Sequence, residues 1–277
     1  MSKTSVFAAF AAAILLALGV SAQTASTITP GNLSKADVDA MVAKFTANET
    51  NFREALTNYV FNRYATISTV GMGGQITGTF RRDSFMTFNS DGARFERILF
   101  APVSTLTELT ITPEDLEDLG GVNPFALEPR NASQYNFTYL GKEKIDDLNL
   151  HVFEVTPKVI PDPKKSKVRL FSGRVWVDDE DLMIVKSKGK AVPEWKNNRF
   201  PIVETWRENI DGKYWFPSFA SSDDELVFES GQVVRLRMRV KYTDYKLGRT
   251  DVIIGDAEDV SEKKPAPKPT PTPIKPE

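Results

Sequence analysis

The clearest periodicity in the chain is a period of two over residues 232–245. Val234, Leu236, Met238, Val240 and Tyr242 fall on one side, and Arg235, Arg237, Arg239 and Lys241 fall on the other. Such alternation predicts a strand with one buried face and one outward face. Near the N-terminus the period is instead helical. Val38, Met41, Val42, Phe45, Phe52 and Leu56 recur at helical spacing, Ser34 stands at the N-cap position and Asp37 in the first turn. This predicts an amphipathic helix over 35–56. Its polar side mixes Lys35, Lys44, Glu49, Arg53 and Glu54, so covering a sheet suits it better than lying on an anionic membrane.

Between these two segments the pattern is short apolar runs and polar turns. Strands are predicted over 59–69, 75–82, 83–89, 93–100, 135–140, 148–157, 174–178, 182–187, 200–207, 214–221 and 226–229. The turn signals include the glycine cluster 71–74, Ser90-Asp91-Gly92, Asp146-Asp147, Asp211-Gly212 and Ser230-Gly231. Regular short strands with this punctuation read as a meandering antiparallel sheet or barrel. In the hairpin over 173–189, around Asp179-Glu180-Asp181, the simple alternation puts Leu182, Ile184 and Lys186 on one face and Met183, Val185 and Ser187 on the other. Thr112-Pro113-Glu114-Asp115 opens a short helix that Gly120-Gly121 would close, a lid-like insertion. The expected fold is mainly β with some α, a curved sheet covered by the N-terminal helix and this short helix.

Composition places this sheet in a compartment. Lys3 precedes an apolar run over 6–20, followed by Val20-Ser21-Ala22. A charged start, a short apolar stretch and small residues before Gln23 make an export signal over 1–22. The run is shorter than the roughly 18 residues of a spanning helix. The domain is then expected over 23–262, with 263–277 as an extended Pro/Lys-rich tail. Cysteine is absent, so export brings no disulfide and no thiolate chemistry. Thirty-four basic and thirty-seven acidic residues follow position 22, and the tail holds four Lys and one Glu. The body is therefore acidic, which excludes the basic footprint of a nucleic-acid binder.

Catalytic signatures are sparse. The single histidine, His151, lies in an alternating strand, and no strained Gly-x-Ser-x-Gly turn accompanies it. The acidic runs 178–181 and 223–225 lack the spacing of an EF-hand and read as solvated turns. No catalytic, metal or cofactor site is expected. The Arg235, Arg237, Arg239 and Lys241 stripe has two readings: a solvated face with acidic cross-strand partners, or a surface for an anionic partner.

Several local motifs occur together in a recognisable order. After the amphipathic helix come Gly78-Thr79-Phe80-Arg81-Arg82-Asp83-Ser84-Phe85, then Tyr139-Leu140-Gly141, and Gly173-Arg174-Val175-Trp176-Val177-Asp178. Trp206-Arg207-Glu208 and Asp211-Gly212-Lys213-Tyr214-Trp215-Phe216-Pro217 follow. This series resembles the periplasmic outer-membrane lipoprotein-sorting proteins, the LolA-like carriers, in a superfamily with LolB-type receptors and RseB-type regulators. The resemblance spans most of 34–247. It implies a half-open antiparallel barrel closed by helices, with a hydrophobic cavity for lipoprotein acyl chains or phospholipid. Phe80, Phe85, Phe88, Phe95, Trp176, Trp206, Val234, Leu236, Met238 and Val240 are the expected lining. Arg82 falls where such carriers keep a lid-latching arginine, with Arg81 as its rival by one register. The chain departs from the small carriers in its extra strands after 200 and its tail. A monomer is expected, working in the periplasm with lipoprotein-handling proteins of the inner or outer membrane; the alternative is an RseB-like regulatory module that binds another protein.

Overall fold

The computed structural model describes residues 28–248 apart from 90–92, 113–114, 116–126 and 197. The expected signal segment, the Ser90-Asp91-Gly92 turn, most of the short helix after Thr112 and the Pro/Lys tail lie outside the described residues. Ten strands form one sheet: β1 (Tyr59–Val70), β2 (Ile76–Phe88), β3 (Arg94–Phe100), β4 (Tyr135–Ile145), β5 (Leu148–Pro157), β6 (Leu170–Asp178), β7 (Ile184–Val192), β8 (Val203–Ile210), β9 (Tyr214–Val227) and β10 (Val233–Leu247). Every pairing is antiparallel, and the order is β3-β2-β1-β10-β9-β8-β7-β6-β5-β4. β3 and β4 stand at opposite edges and do not pair, so the curved sheet remains open, as the mainly β, half-open expectation requires.

The topology has one long step. β4 to β10 run as a meander, β10 pairs with β1, and β1 to β3 meander outward on the other side. The segment 101–134 must therefore cross from one edge of the sheet to the other. Its described residues lie on the inner face, where Leu106, Leu109 and Ile111 pack on one core cluster and Leu127 belongs to a second. A single helical turn, α2 (Pro129–Ala132), starts with proline in its first turn, in a stretch expected to be loop.

Helix α1 (Lys35–Leu56) has the predicted bounds and the predicted cap: Ser34 Oγ accepts from the Asp37 amide at 3.2 Å. Its C-terminal half is the buried part. Phe45 packs against Phe153 and Phe137, with ring centroids 5.3 and 5.6 Å away, and Phe52 against Phe216 at 5.8 Å. Full burial of each such ring is worth about 1.5–3 kcal/mol. Asn48 Nδ2 donates to the carbonyls of Asp181 and Leu182 at 3.0 and 2.9 Å, tying the helix to the β6–β7 turn.

Several strand limits differ from the sequence reading, for physical reasons. The predicted break at Arg82/Asp83 is absent: β2 is continuous, because Arg81 donates to both carboxylate oxygens of Asp83 and satisfies the charge in the strand. β9 likewise runs through Asp223-Asp224-Glu225: Asp223 and Glu225 pair with arginines of β10, and Asp224 accepts from the Ile202 amide at 2.8 Å. In the β6–β7 hairpin a bulge at Val185 changes the parity. Trp176 pairs with Lys186 and Val177 with Ile184, so Ile184 shares the inner face with Ser187, and Val185 turns outward with Lys186. Simple alternation over 182–187 therefore assigned those faces incorrectly.

The free edge of β4 is partly covered. Thr29 exchanges both backbone hydrogen bonds with Lys142, at 2.8 and 2.9 Å. Gly141 has φ +140° there, and a Cβ on it would lie 2.1 Å from the Thr29 carbonyl oxygen. Only glycine permits so close an approach.

Candidate ligand-binding cavity

Two core clusters share the inner face of the sheet. One gathers residues of β1, β2, β9 and β10 with Phe52; the other gathers residues of β4 to β7 with Phe45. Between them lies a cavity of about 250 Å³. Ile67, Ala220, Leu226, Leu236, Met238 and Val240 line it from the first cluster, and Leu127, Phe171, Val175 and Ile184 from the second. The crossover contributes Leu109 and Ile111, and the β7–β8 loop contributes Arg199, Phe200 and Pro201. Alternation in β10 produces much of this wall: Leu236, Met238 and Val240 point inward because Arg235, Arg237 and Arg239 point out.

The cavity carries a polar end. Glu49 of α1 and Arg207 of β8 line it and form a two-pronged ion pair, with Nη1–Oε1 at 2.6 Å and Nη2–Oε2 at 3.0 Å. Their side chains are 1% and 6% exposed. Arg207 Nη1 also donates to the Ile184 carbonyl at 3.1 Å, and its guanidinium lies 4.3 Å from the centre of the Phe52 ring. Charge, hydrogen bonds and ring face together compensate the desolvation of both ions. Tyr242 closes the adjoining wall, and burial pushes its phenol up to about 12, with nearby Arg63 acting in the opposite sense.

At the outer side the β7–β8 loop is held by Glu194. Its carboxylate accepts from Lys190 Nζ at 2.7 Å and from the Phe200 amide at 3.0 Å. The crossover is fixed at Thr112 and Asp115, whose side chains accept each other's amide hydrogens at 3.1 and 3.0 Å. That is the reciprocal cap expected of the short helix, the rest of which lies outside the described residues.

The expected lining residues are dispersed. Leu236, Met238 and Val240 line the cavity; Val234 is buried in the same row but beyond it. Phe88 is in the first core cluster and Phe80 packs on it, both away from the cavity. Phe85 has opposite parity in β2 and lies under Arg97 at 5.5 Å, while Phe95 on the edge strand is 40% exposed. The phenylalanine-rich segment therefore does not form the cavity wall. Trp176 and Trp206 are on the outer face, flanking Lys186 Nζ at 4.7 and 4.2 Å from their ring centres. Their indoles donate to Glu143 and Glu204.

Arg82 is on the inner face of β2, with Nε 3.8 Å from Glu96 of β3, beside the buried Arg63 whose Nη2 donates to the same carboxylate at 2.6 Å. The short helix that it was expected to latch lies mostly outside the described residues. The rival Arg81 pairs with Asp83. The basic stripe is largely neutralised: Arg235 pairs with Glu225 at 2.7 Å, Arg237 with Asp223 at 2.8 Å, and Arg239 with Asp223 as well. Lys241 faces Phe219 and Tyr64, and Arg239 faces Ser221 and Thr66, so Arg239 reaches Asp223 diagonally. The reading with acidic cross-strand partners holds.

The acidic turn 178–181 engages its carboxylates in its own amides and in neighbouring strands, with Asp179 accepting from Lys142 Nζ at 3.0 Å. Asp178 accepts from the amides of Glu180 and Asp181, and Asp181 accepts from the Met183 amide and the Trp215 indole. Among the described residues no group of His, Cys, Asp or Glu could hold a metal ion. His151 Nδ1 lies 3.2 Å from the Tyr139 hydroxyl. Sequence reasoning missed Glu49, Arg207, Lys190 and Arg199, although Glu49 interrupts the apolar stripe of α1 and Arg207 has the inward parity of Val203 and Thr205.

No known family profile and no curated protein sequence matches the chain. Among solved structures it is similar to a DUF1329 family protein from Desulfovibrio piger, at 15% identity and TM-score 0.39, over 79% of this chain and 95% of that one. It is similar to a LolA superfamily protein from Nitrosomonas europaea, at 15% identity and TM-score 0.36, over 75% and 94%. A putative outer membrane lipoprotein-sorting protein domain from Vibrio parahaemolyticus gives 12% identity and TM-score 0.32, over 72% and 91%.

Proposed function

We propose that this protein holds the apolar part of a lipid, a lipoprotein acyl chain or a phospholipid chain, in the inner-face cavity and carries it through the periplasm. The observation that supports the reading is the gap between two core clusters, walled by Leu236, Met238, Val240 and Ile184. Cores close such gaps unless something fills them. An acyl chain gains about 0.8 kcal/mol for each methylene removed from water. Protein purified from cells expressing the full chain should release lipid in denaturing mass spectrometry and carry the matching added mass in native spectra. Met238→Arg and Ala220→Phe, each checked for an unchanged circular dichroism spectrum, should lose it. Lipid-free wild-type protein that also fails to take up a fluorescent fatty acid overturns the proposal.

A second reading, a regulatory module that binds another protein, is supported by a different feature. Among the described residues β3 leaves one edge unpaired, and Phe95, Ile98, Leu99 and Phe100 on it are each 40–50% exposed. Such an edge accepts an added strand. A photo-crosslinking residue at Leu99 should then capture one defined protein in cells, and Leu99→Pro should abolish function; absence of any crosslink removes this reading.

A further inference from the structure

The ionic groups lining the cavity do not cancel. Lys190, Arg199 and Arg207 are positive, and Glu49 and Asp115 are negative. Glu49 is fully engaged by Arg207, and Asp115 is bound by Arg169 at 3.3 Å. The surplus therefore lies with Lys190 and Arg199, on either side of the β7–β8 connection. Both depend on one counter-ion, Glu194, which Lys190 holds at 2.7 Å and Arg199 reaches only at 4.0 Å. Glu194 also accepts the Phe200 amide, so its capacity is already divided. Arg199 Nε is a buried donor with no acceptor among the described residues. A buried guanidinium donor without a partner is costly, and it marks a place for an acceptor. The side chains of Lys190 and Arg199 are 35% and 25% exposed, so an incoming group can meet them without the fold opening.

We infer that the cavity selects an anionic amphiphile: one negatively charged head, a carboxylate or a phosphate, is bound between Lys190 and Arg199 while its apolar chain extends along Leu236 and Met238. This rests on the lipid-binding reading above and adds the chemistry of the head. The head shares Lys190 with Glu194 and pairs with the Arg199 guanidinium, which Glu194 reaches only at 4.0 Å. A cationic or choline-type head meets the same surplus as repulsion, and a neutral head gains only weak hydrogen bonds.

Four probes with the same chain test it by displacement of an environment-sensitive dye from protein purified as the full chain: dodecanoate, dodecyl phosphate, dodecanol and dodecyltrimethylammonium. The two anions should bind about tenfold more tightly than dodecanol, the magnitude of one charge-assisted hydrogen bond. The tighter of the two anions tells whether the natural head is a carboxylate or a phosphate. Lys190→Gln/Arg199→Gln should abolish the difference between the anions and dodecanol. Glu194→Gln keeps an acceptor for the Phe200 amide, removes the competing charge and should tighten the anions further. Equal affinity of anions and dodecanol in wild type, or a preference that survives the double variant, overturns the head-group inference while lipid binding stands. Failure of all four probes to bind overturns both.

Discussion

Glu49 and Arg207 are the residues on which the inner face depends most directly. Each is an ion almost out of water, and each is neutralised by the other. Removing one partner leaves the other charge buried, whereas replacing both with apolar groups removes the desolvation cost as well. Glu49→Gln or Arg207→Met alone should therefore lower unfolding free energy by about 3–5 kcal/mol. The double variant Glu49→Leu/Arg207→Met should lie near wild type or above it, and urea denaturation measures all three. A double variant as unstable as the singles would mean that the pair does more than compensate itself. His151 offers a pH test. Burial, then the nearby Lys142 charge, depresses its pKa below the ordinary imidazole value. The unfolded chain then binds the proton more readily than the folded one, so stability is present above the unfolded pKa and is lost as pH falls through it towards the folded value. His151→Phe should flatten that part of the stability–pH curve measured by thermal unfolding.

At the scale of elements, the periodic segments were the readable ones. The bounds of α1 and the inward row of β10 follow from periods of 3.6 and 2, because each element has one continuous apolar face. Parity failed where a bulge intervened, at Val185, and segmentation failed where charged residues sit inside strands. Asp83, Asp223 and Glu225 look like turn residues until their arginine partners are known: Arg81 in the same strand for the first, and β10 arginines set by register for the others. The Glu49–Arg207 pair was illegible for the same reason: its members are far apart in sequence, and only the docking of α1 brings them together. The β9–β10 ladder also carries a prediction. Hydrogen bonds from Arg237 and Arg239 outweigh partial burial and hold the Asp223 carboxyl below the usual carboxylate range. Because these side chains are about half exposed, Asp223→Asn/Glu225→Gln should cost only about 1 kcal/mol in all. It should nevertheless expose three unopposed arginines. Salt needed to elute the protein from a heparin column should rise clearly; unchanged elution would show that the stripe was never masked.

For the whole molecule, the two sheet edges are treated differently. Residue 29 bridges to β4 beside Gly141, whereas among the described residues nothing pairs with the outer edge of β3. Gly141→Val should displace Thr29, because the new side chain would occupy the carbonyl's position. Hydrogen exchange at Lys142 should then accelerate to the rate seen in β3, with β1 and β10 still the slowest strands; unchanged protection at Lys142 would contradict this role for Gly141.

The pairing of β1 with β10 joins the first and last strands of the sheet, Tyr59 opposite Leu247. If a linker connected these ends and the chain were cut within the crossover between β3 and β4, the strands would follow one another in space in the order in which they are synthesised. The permuted chain would be a plain ten-strand meander, with α1 carried in the new linker. Tolerance of such a cut is common where chain ends are neighbours. The sheet would lose its one obligatory long-range closure and should fold faster than the natural chain. What it would give up is the tether that keeps Leu109, Ile111 and Leu127 over the cavity. The natural order of strands would then be understood as a cost in folding rate retained for the sake of a roof.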